Sequence, residues 1–152
     1  MASEFRMQVA GMSGGPDDWS FSCSEGDLRQ LTATDPRGRT WRSPGDDWFD
    51  ALQQIRLQLE TEGYIPLCNG SRIDAHPSRM SRDMSGGTVL YLHRQKWKAR
   101  KRVYIFDPAT KDKVGTVAEQ NEFYKKWLAG PKLPNLLASL TAFARENRAR
   151  RG

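Results

Sequence analysis

The sequence has few of the side chains on which most catalytic and metal sites are built. Its 152 residues include two cysteines and two histidines, and these are not arranged in the closely spaced pairs of a zinc site. It also has no glycine-rich phosphate loop and no signature of a catalytic triad. We therefore expect no metal and no cofactor, and a binding role rather than an enzymatic one.

Long apolar runs are missing as well. Nothing near the N-terminus has an apolar core long enough for a signal peptide or a membrane span. The two cysteines, Cys23 and Cys68, lie in separate strand candidates, and cytosolic proteins seldom keep disulfides. A disulfide between them stays open, but the sequence favours two free thiols, a cytoplasmic location and no membrane partner. It does not predict an oligomeric state.

Positive charge is the clearest compositional signal. Twenty-four Lys and Arg residues against eighteen Asp and Glu residues give a formal net charge of +6. Such an excess favours an anionic partner, which includes nucleic acid, phosphate and the acidic face of a protein. The cations are concentrated in residues 94–102, which contain no acid, and in a C-terminal tail from about residue 145.

The length of the chain suits one domain spanning residues 1–152, because a chain of this size can bury roughly two-thirds of its unfolded surface. Apolar side chains alternate along the first two strand candidates, at Phe5, Met7, Val9, Trp19, Phe21 and Cys23. This alternation is typical of half-buried antiparallel strands. A turn at residues 35–38, with Pro36 and Gly38, predicts a second hairpin between residues 28–34 and 39–42.

A first helix is predicted from about Pro44 to Glu62. The Ser43 hydroxyl can cap its free N–H groups, and proline suits a first helical turn. Asp46, Asp47 and Asp50 are explained as partners of the positive end of the helix dipole, in preference to a metal pair.

Further strands are predicted after this helix. Residues 64–68 and 71–75 flank Asn69-Gly70, a favoured two-residue hairpin turn because both residues tolerate positive φ. Residues 88–93 and 102–106 predict another strand pair.

Two more helices are predicted in the last third of the chain. A capping box at Thr116 and Glu119 begins one that reaches about Leu128, and apolar residues at helical spacing predict another from about residue 134 to 148. The order of elements favours an α+β fold, with a mainly antiparallel sheet of about six to seven strands and three helices packed on one face.

Residues 69–87 are the most distinctive stretch, since they combine turn formers, arginines and hydroxyls between two strand candidates. Their donors for a phosphate or carboxylate are three arginines, Arg72, Arg79 and Arg82, and four serines, Ser71, Ser78, Ser81 and Ser85. The alternative is an ordered loop in which Arg72 pairs with Asp74 and Arg82 pairs with Asp83.

Met80 and Met84 lie four residues apart, so a short helical turn from Ser78 would place both on one face. Most methionine pairs of this kind fill a core, which is the interpretation we favour. If the two side chains are exposed, their flexible thioethers suit the groove of a protein partner.

The basic stretch interleaves one aromatic residue with cations, and its candidate binding residues are Lys96, Trp97, Lys98, Arg100 and Arg102. This composition fits phosphate neutralisation with base stacking by Trp97. It also fits a solvated hairpin tip, where cations protect an exposed edge from aggregation.

Cys68 or Ser78 with His76 are the candidates for nucleophilic chemistry. A thiolate would need a neighbouring imidazole or cation to lower its pKa. A cysteine at the end of an apolar strand is more often a small buried side chain, and we expect this of Cys68.

The segments Asn69-Gly70-Ser71-Arg72 and Pro77–Gly87, followed by a strand with Tyr91, resemble small bacterial proteins that carry an NGxR…PSxMSRDMxGG-like segment. Such short α+β proteins are similar in style to the immunity partners of secreted toxins and to defence accessory proteins. The resemblance implies a binding role. The positive charge is a departure, because an inhibitor of a nucleic-acid-cleaving toxin would more naturally be acidic.

These observations together predict a bacterial cytoplasmic binding protein. It would use the Arg/Ser/Met loop, residues 69–87, and the basic hairpin, residues 94–102, to hold an acidic or anionic macromolecular partner, as a toxin-neutralising protein does. The alternatives are a nucleic-acid-binding module and a small Cys- or Ser-dependent hydrolase or transferase.

Overall fold

A computed structural model of the chain describes residues 3–12, 14–93 and 100–130. Its elements, in chain order, are β1 (Ser3–Ala10), β2 (Asp17–Glu25), β3 (Arg29–Thr34), β4 (Thr40–Gly45), α1 (Trp48–Glu60), β5 (Ile65–Pro66), a 3₁₀ turn (Asn69–Ser71), β6 (Ala75–His76), α2 (Arg79–Ser85), β7 (Val89–Leu92), β8 (Arg102–Tyr104) and α3 (Val117–Ala129).

The predicted α+β class is confirmed. Within the described residues the eight strands form two antiparallel sheets, one of five strands in the order β4-β3-β2-β1-β5 and one of three in the order β6-β7-β8. The strands are thus divided between two sheets. The predicted helix at residues 134–148 lies outside the described residues, and the third helix of the structure is α2.

The core lies between the five-stranded sheet and α1. The alternating residues of β1 and β2 point into it, as predicted, and Trp19 and Phe21 are almost fully buried. They meet the apolar stripe of α1, in which Leu52, Ile55 and Leu59 have no exposed surface. No helix in the described part of the chain is long and apolar enough to cross a membrane.

The start of α1 differs from the prediction. Pro44 continues β4, opposite Gln30 of β3, and the helix cap is Asp47, whose carboxylate accepts a hydrogen bond from the Asp50 N–H at 2.7 Å. Proline is tolerated there because β4 is an edge strand of its sheet, where a missing donor breaks no ladder. Asp46, Asp47 and Asp50 serve the helix start, as expected, since the Asp46 N–H also donates to the Asp50 carboxylate.

Asn69 and Gly70 do not form the predicted hairpin turn. Neither residue has a positive φ, and together with Ser71 they form the 3₁₀ turn. Gly70 is required here for another reason, because a Cβ at this position would collide with the side chains of Leu52 and Ile105. The chain therefore enters the core at Gly70. The next strand, β6, pairs with β7 instead of with β5.

The predicted pairing of residues 88–93 with 102–106 is confirmed by β7 and β8, which are antiparallel. The capping box of α3 is also confirmed. The Thr116 hydroxyl accepts from the Glu119 N–H at 3.1 Å, and the Glu119 carboxylate accepts from the Thr116 N–H at 3.0 Å.

Candidate functional site

Helix α2 is the centre of the stretch that the sequence singled out, and its ends are fixed by local hydrogen bonds. The Ser78 hydroxyl accepts from the Ser81 N–H at 3.0 Å, which makes Ser78 the N-terminal cap of the helix. The helix ends at Gly86, whose φ of 66° is available to glycine at low cost. The short helical turn considered for this stretch therefore forms.

Helix α2 is anchored on the first turn of α1. The Arg82 guanidinium donates to the Asp47 carboxylate at 2.7 Å and lies 5.2 Å from the centre of the Phe49 ring. The carbonyl of Gly86 accepts from the Trp48 N–H at 2.8 Å. Asp47 thus caps one helix and holds the other.

Two of the three arginines of this stretch are paired with carboxylates of the same chain. Arg72 forms a two-pronged pair with Asp74, at 2.8 and 2.9 Å. The predicted internal pairing holds for Arg72, whereas Arg82 pairs with Asp47 instead of Asp83. An external anion would have to compete with these carboxylates. The Arg79 side chain is exposed and makes no hydrogen bond or ion pair with the described residues.

The two methionines of α2 point to solvent, so the expectation that they fill a core is wrong. Met80 is 69% exposed and Met84 is 81% exposed. The opposite side of the helix faces the protein, because Ser81 is buried and Arg82 binds Asp47. Its outer side is made of Arg79, Met80, Asp83 and Met84, which we call the α2 face.

The basic stretch is described in part. Arg100, Lys101 and Arg102 are exposed, and the Arg100 guanidinium lies 4.8 Å from the centre of the Tyr91 ring. Lys96, Trp97 and Lys98 lie outside the described residues, and so does the C-terminal tail.

The candidates for nucleophilic chemistry are packing and capping residues. Cys68 has no exposed surface, its thiol lies 3.7 Å from the Ser71 hydroxyl, and burial raises its pKa. The expectation that Cys68 is a small buried side chain is confirmed. The His76 ring stacks on Tyr124 with 3.5 Å between centroids, and burial lowers its pKa to about 4.

Arg56 is a buried arginine for which the sequence predicted no role, and it holds the backbone at Gly70 and Gly115. Arg56 has no exposed surface, and it donates to the carbonyls of Gly70 and Gly115 at 3.0 and 2.9 Å and to the Gln120 amide oxygen at 2.7 Å. Burial lowers its pKa to about 10, so it stays charged at neutral pH. Its position was a usable signal, since residue 56 falls on the apolar stripe between Leu52 and Leu59.

Gln120 of α3 completes this buried cluster. Its amide nitrogen donates to the carbonyls of Gly70, Arg72 and Ala75 at 2.8–3.1 Å. The backbone of residues 70–75, which leads toward α2, is therefore held by two side chains from different helices, Arg56 of α1 and Gln120 of α3.

Within the described ranges, no three His, Cys, Asp or Glu side chains are close enough together to hold a metal ion. No family model matches the chain, and no curated protein matches it. The assignment of a function therefore depends on the surface chemistry of the described residues.

Proposed function

We propose that this chain is a bacterial cytoplasmic binding protein that holds an acidic or anionic macromolecular partner, in the manner of a toxin-neutralising immunity protein. The α2 face and the basic residues near β8 would form the contact. The observation that carries the proposal is the exposure of Met80 and Met84 on a helix that is fixed at both ends.

Rigid support matters because binding costs less when the contacting element is already ordered. Helix α2 is held by the Ser78 cap, the Arg82–Asp47 ion pair and the Gly86 carbonyl. Its methionines keep flexible side chains on this anchored helix. Unbranched thioethers adapt to the shape of an apolar groove, and this supports a protein partner.

Charge supports an acidic partner. The chain carries a formal charge of +6, and Arg79, Arg100, Lys101 and Arg102 are exposed without a carboxylate partner in the described part of the chain. Exposed cations accelerate encounter with an acidic surface and disfavour basic ones. Both cysteines are free thiols, which supports a reducing compartment such as the cytoplasm.

The decisive experiment is quantitative affinity capture with matched variants. The variant Met80→Gln with Met84→Gln keeps side-chain length and removes apolar character at the α2 face. Met12→Gln is the control, because Met12 is 88% exposed and lies outside this face. We expect wild type and the control to retain the same protein partner. The double variant should bind that partner at least ~10-fold more weakly, which corresponds to ~1.4 kcal/mol. Equal capture by all three would contradict the proposal.

Nucleic acid is the second candidate partner, favoured by three consecutive exposed cations at residues 100–102 and by the contact of Arg100 with Tyr91. Fluorescence anisotropy with labelled single- and double-stranded DNA and RNA separates the two candidates. Saturable binding that falls steeply with salt and disappears in Arg100→Glu with Arg102→Glu would put nucleic acid first. Absence of binding at low salt leaves the protein partner.

A further inference from the structure

Strand β1 has one fully paired edge and one largely open edge. It pairs with β2 over residues 3–9, whereas β5 pairs with it only at Val9 and Ala10. In the described part of the chain, no strand pairs with this second edge over residues 3–7. An open edge of this kind is a template for another strand.

The groups that face the open edge follow from the strand register. The Gln8 carbonyl accepts from the Leu67 N–H at 2.8 Å, so Gln8 presents its backbone groups to the β5 side. Alternate residues of an antiparallel strand present their N–H and C=O groups to the same side. Glu4 and Arg6 therefore present theirs to the open edge.

A groove with both apolar and charged walls runs beside this edge. Its volume is about 680 Å³, and its walls include Phe5, Leu67, Tyr104, Phe106 and Pro108. The Phe5 and Phe106 rings lie 4.8 Å apart between centroids. The site therefore places open backbone hydrogen-bond groups beside aromatic side chains, and strand addition uses backbone hydrogen bonds together with pockets for alternate side chains.

We propose that this edge binds the same edge of a second copy of the chain. The two β1 strands would run antiparallel about a two-fold axis at Phe5, which places Glu4 opposite Arg6 of the second copy and Arg6 opposite its Glu4. Both are hydrogen-bonded pairs in the register given above, and the two Phe5 rings meet on the apolar side. The five-stranded sheet would continue from one copy into the other.

The order of charges selects this register and this partner. A shift that places Glu4 opposite Glu4, or Arg6 opposite Arg6, sets like charges against each other and is unfavourable. Arg6 already binds Asp18 at 2.9 Å, but the two side chains are 64% and 48% exposed, so Arg6 can reorient toward the second copy at little cost. Opposite charges one residue to either side of Phe5 make the edge complementary to itself.

Sedimentation equilibrium over a range of concentrations tests the proposal with charge variants. Wild type should form a dimer, and Arg6→Glu or Glu4→Arg should raise its dissociation constant at least ~10-fold, because two attractive pairs become repulsive. The double swap Glu4→Arg with Arg6→Glu restores both pairs and should restore the dimer. An equimolar mixture of the two single variants should also dimerise, since their charges are complementary.

The control for net charge is Arg42→Glu, an exposed position on β4, three strands away from β1. It changes the charge as much as Arg6→Glu and should leave the dimer intact. Hydrogen exchange supplies the register, because the amides of Glu4 and Arg6 should become protected as concentration rises. A wild type that stays monomeric, or a dimer that Arg6→Glu weakens no more than Arg42→Glu, would overturn the proposal.

The open edge of β1 and the α2 face are different surfaces. Loss of the dimer in Arg6→Glu with retained partner capture would separate the two, as would loss of capture in the methionine double variant with an intact dimer.

Discussion

Replacement of Arg56 by methionine should lower the free energy of unfolding by about 3 kcal/mol, because it removes the hydrogen bonds of the buried cluster that Arg56 forms with Gln120. Methionine keeps most of the apolar stem and removes the guanidinium. Three hydrogen bonds disappear, to Gly70, Gly115 and Gln120.

The magnitude depends on which acceptors keep another donor. The Gly70 carbonyl still accepts from the Gln120 amide, and the Gln120 oxygen still accepts from Gln53 at 3.1 Å. The Gly115 carbonyl loses its donor from Arg56, and a buried unsatisfied carbonyl costs ~1–3 kcal/mol. Loss of the two other charged hydrogen bonds adds to this cost, and removal of a buried charge offsets part of it.

Urea denaturation followed by tryptophan fluorescence measures the change, with Gln54→Met as the control. Gln54 lies on the same helix and is exposed, so its replacement should change stability by less than ~0.5 kcal/mol. A loss of stability in Arg56→Met no larger than that of the control would refute the assigned role of Arg56.

Two further predictions concern His76 and Asp47. The pKa of His76 is lowered from 6.5 to about 4. Between pH 6.5 and pH 4 the unfolded chain therefore binds a proton at His76 and the folded chain does not. The free energy of unfolding should fall by ~2–3 kcal/mol as the pH drops from 6.5 to 4. Urea denaturation at several pH values checks this, and His76→Phe, which keeps an aromatic ring and cannot titrate, should lose that part of the pH dependence; an unchanged dependence would contradict the assignment. Asp47→Ala should cost ~2–3 kcal/mol in thermal or urea denaturation, because it removes a helix cap and the partner of Arg82 together. Asp46→Ala, at an exposed position, is its control, and equal effects of the two would show that Asp47 does not join α1 to α2.

Features that depend on neighbouring residues were predictable. The alternation in β1 and β2 and the capping box at Thr116 and Glu119 each act within a few residues, and the structure confirms them. The start of α1 was not predicted correctly, because Ser43 and Asp47 are both good caps. The register of β4 with β3, a long-range interaction, decides between them.

The candidate site likewise combines features that the local sequence predicts with features that depend on long-range contacts. The helical turn at Ser78 follows from its local sequence, but the outward direction of Met80 and Met84 does not. That direction is set by Arg82, whose partner Asp47 lies 35 residues away in the chain. The role of Arg56 likewise depends on carbonyls and an amide that only the folded chain brings together, although its place on the apolar stripe of α1 was visible in the sequence.

The most direct test of the central claim, that the α2 face binds a protein, is site-specific photo-crosslinking in the native host. A benzophenone amino acid replaces Met84 in one variant and Met12 in the other, two positions with 81% and 88% exposure. We predict a discrete adduct with an acidic protein at position 84 and none at position 12. Absence of an adduct at position 84, or equal adducts at the two positions, would contradict the claim.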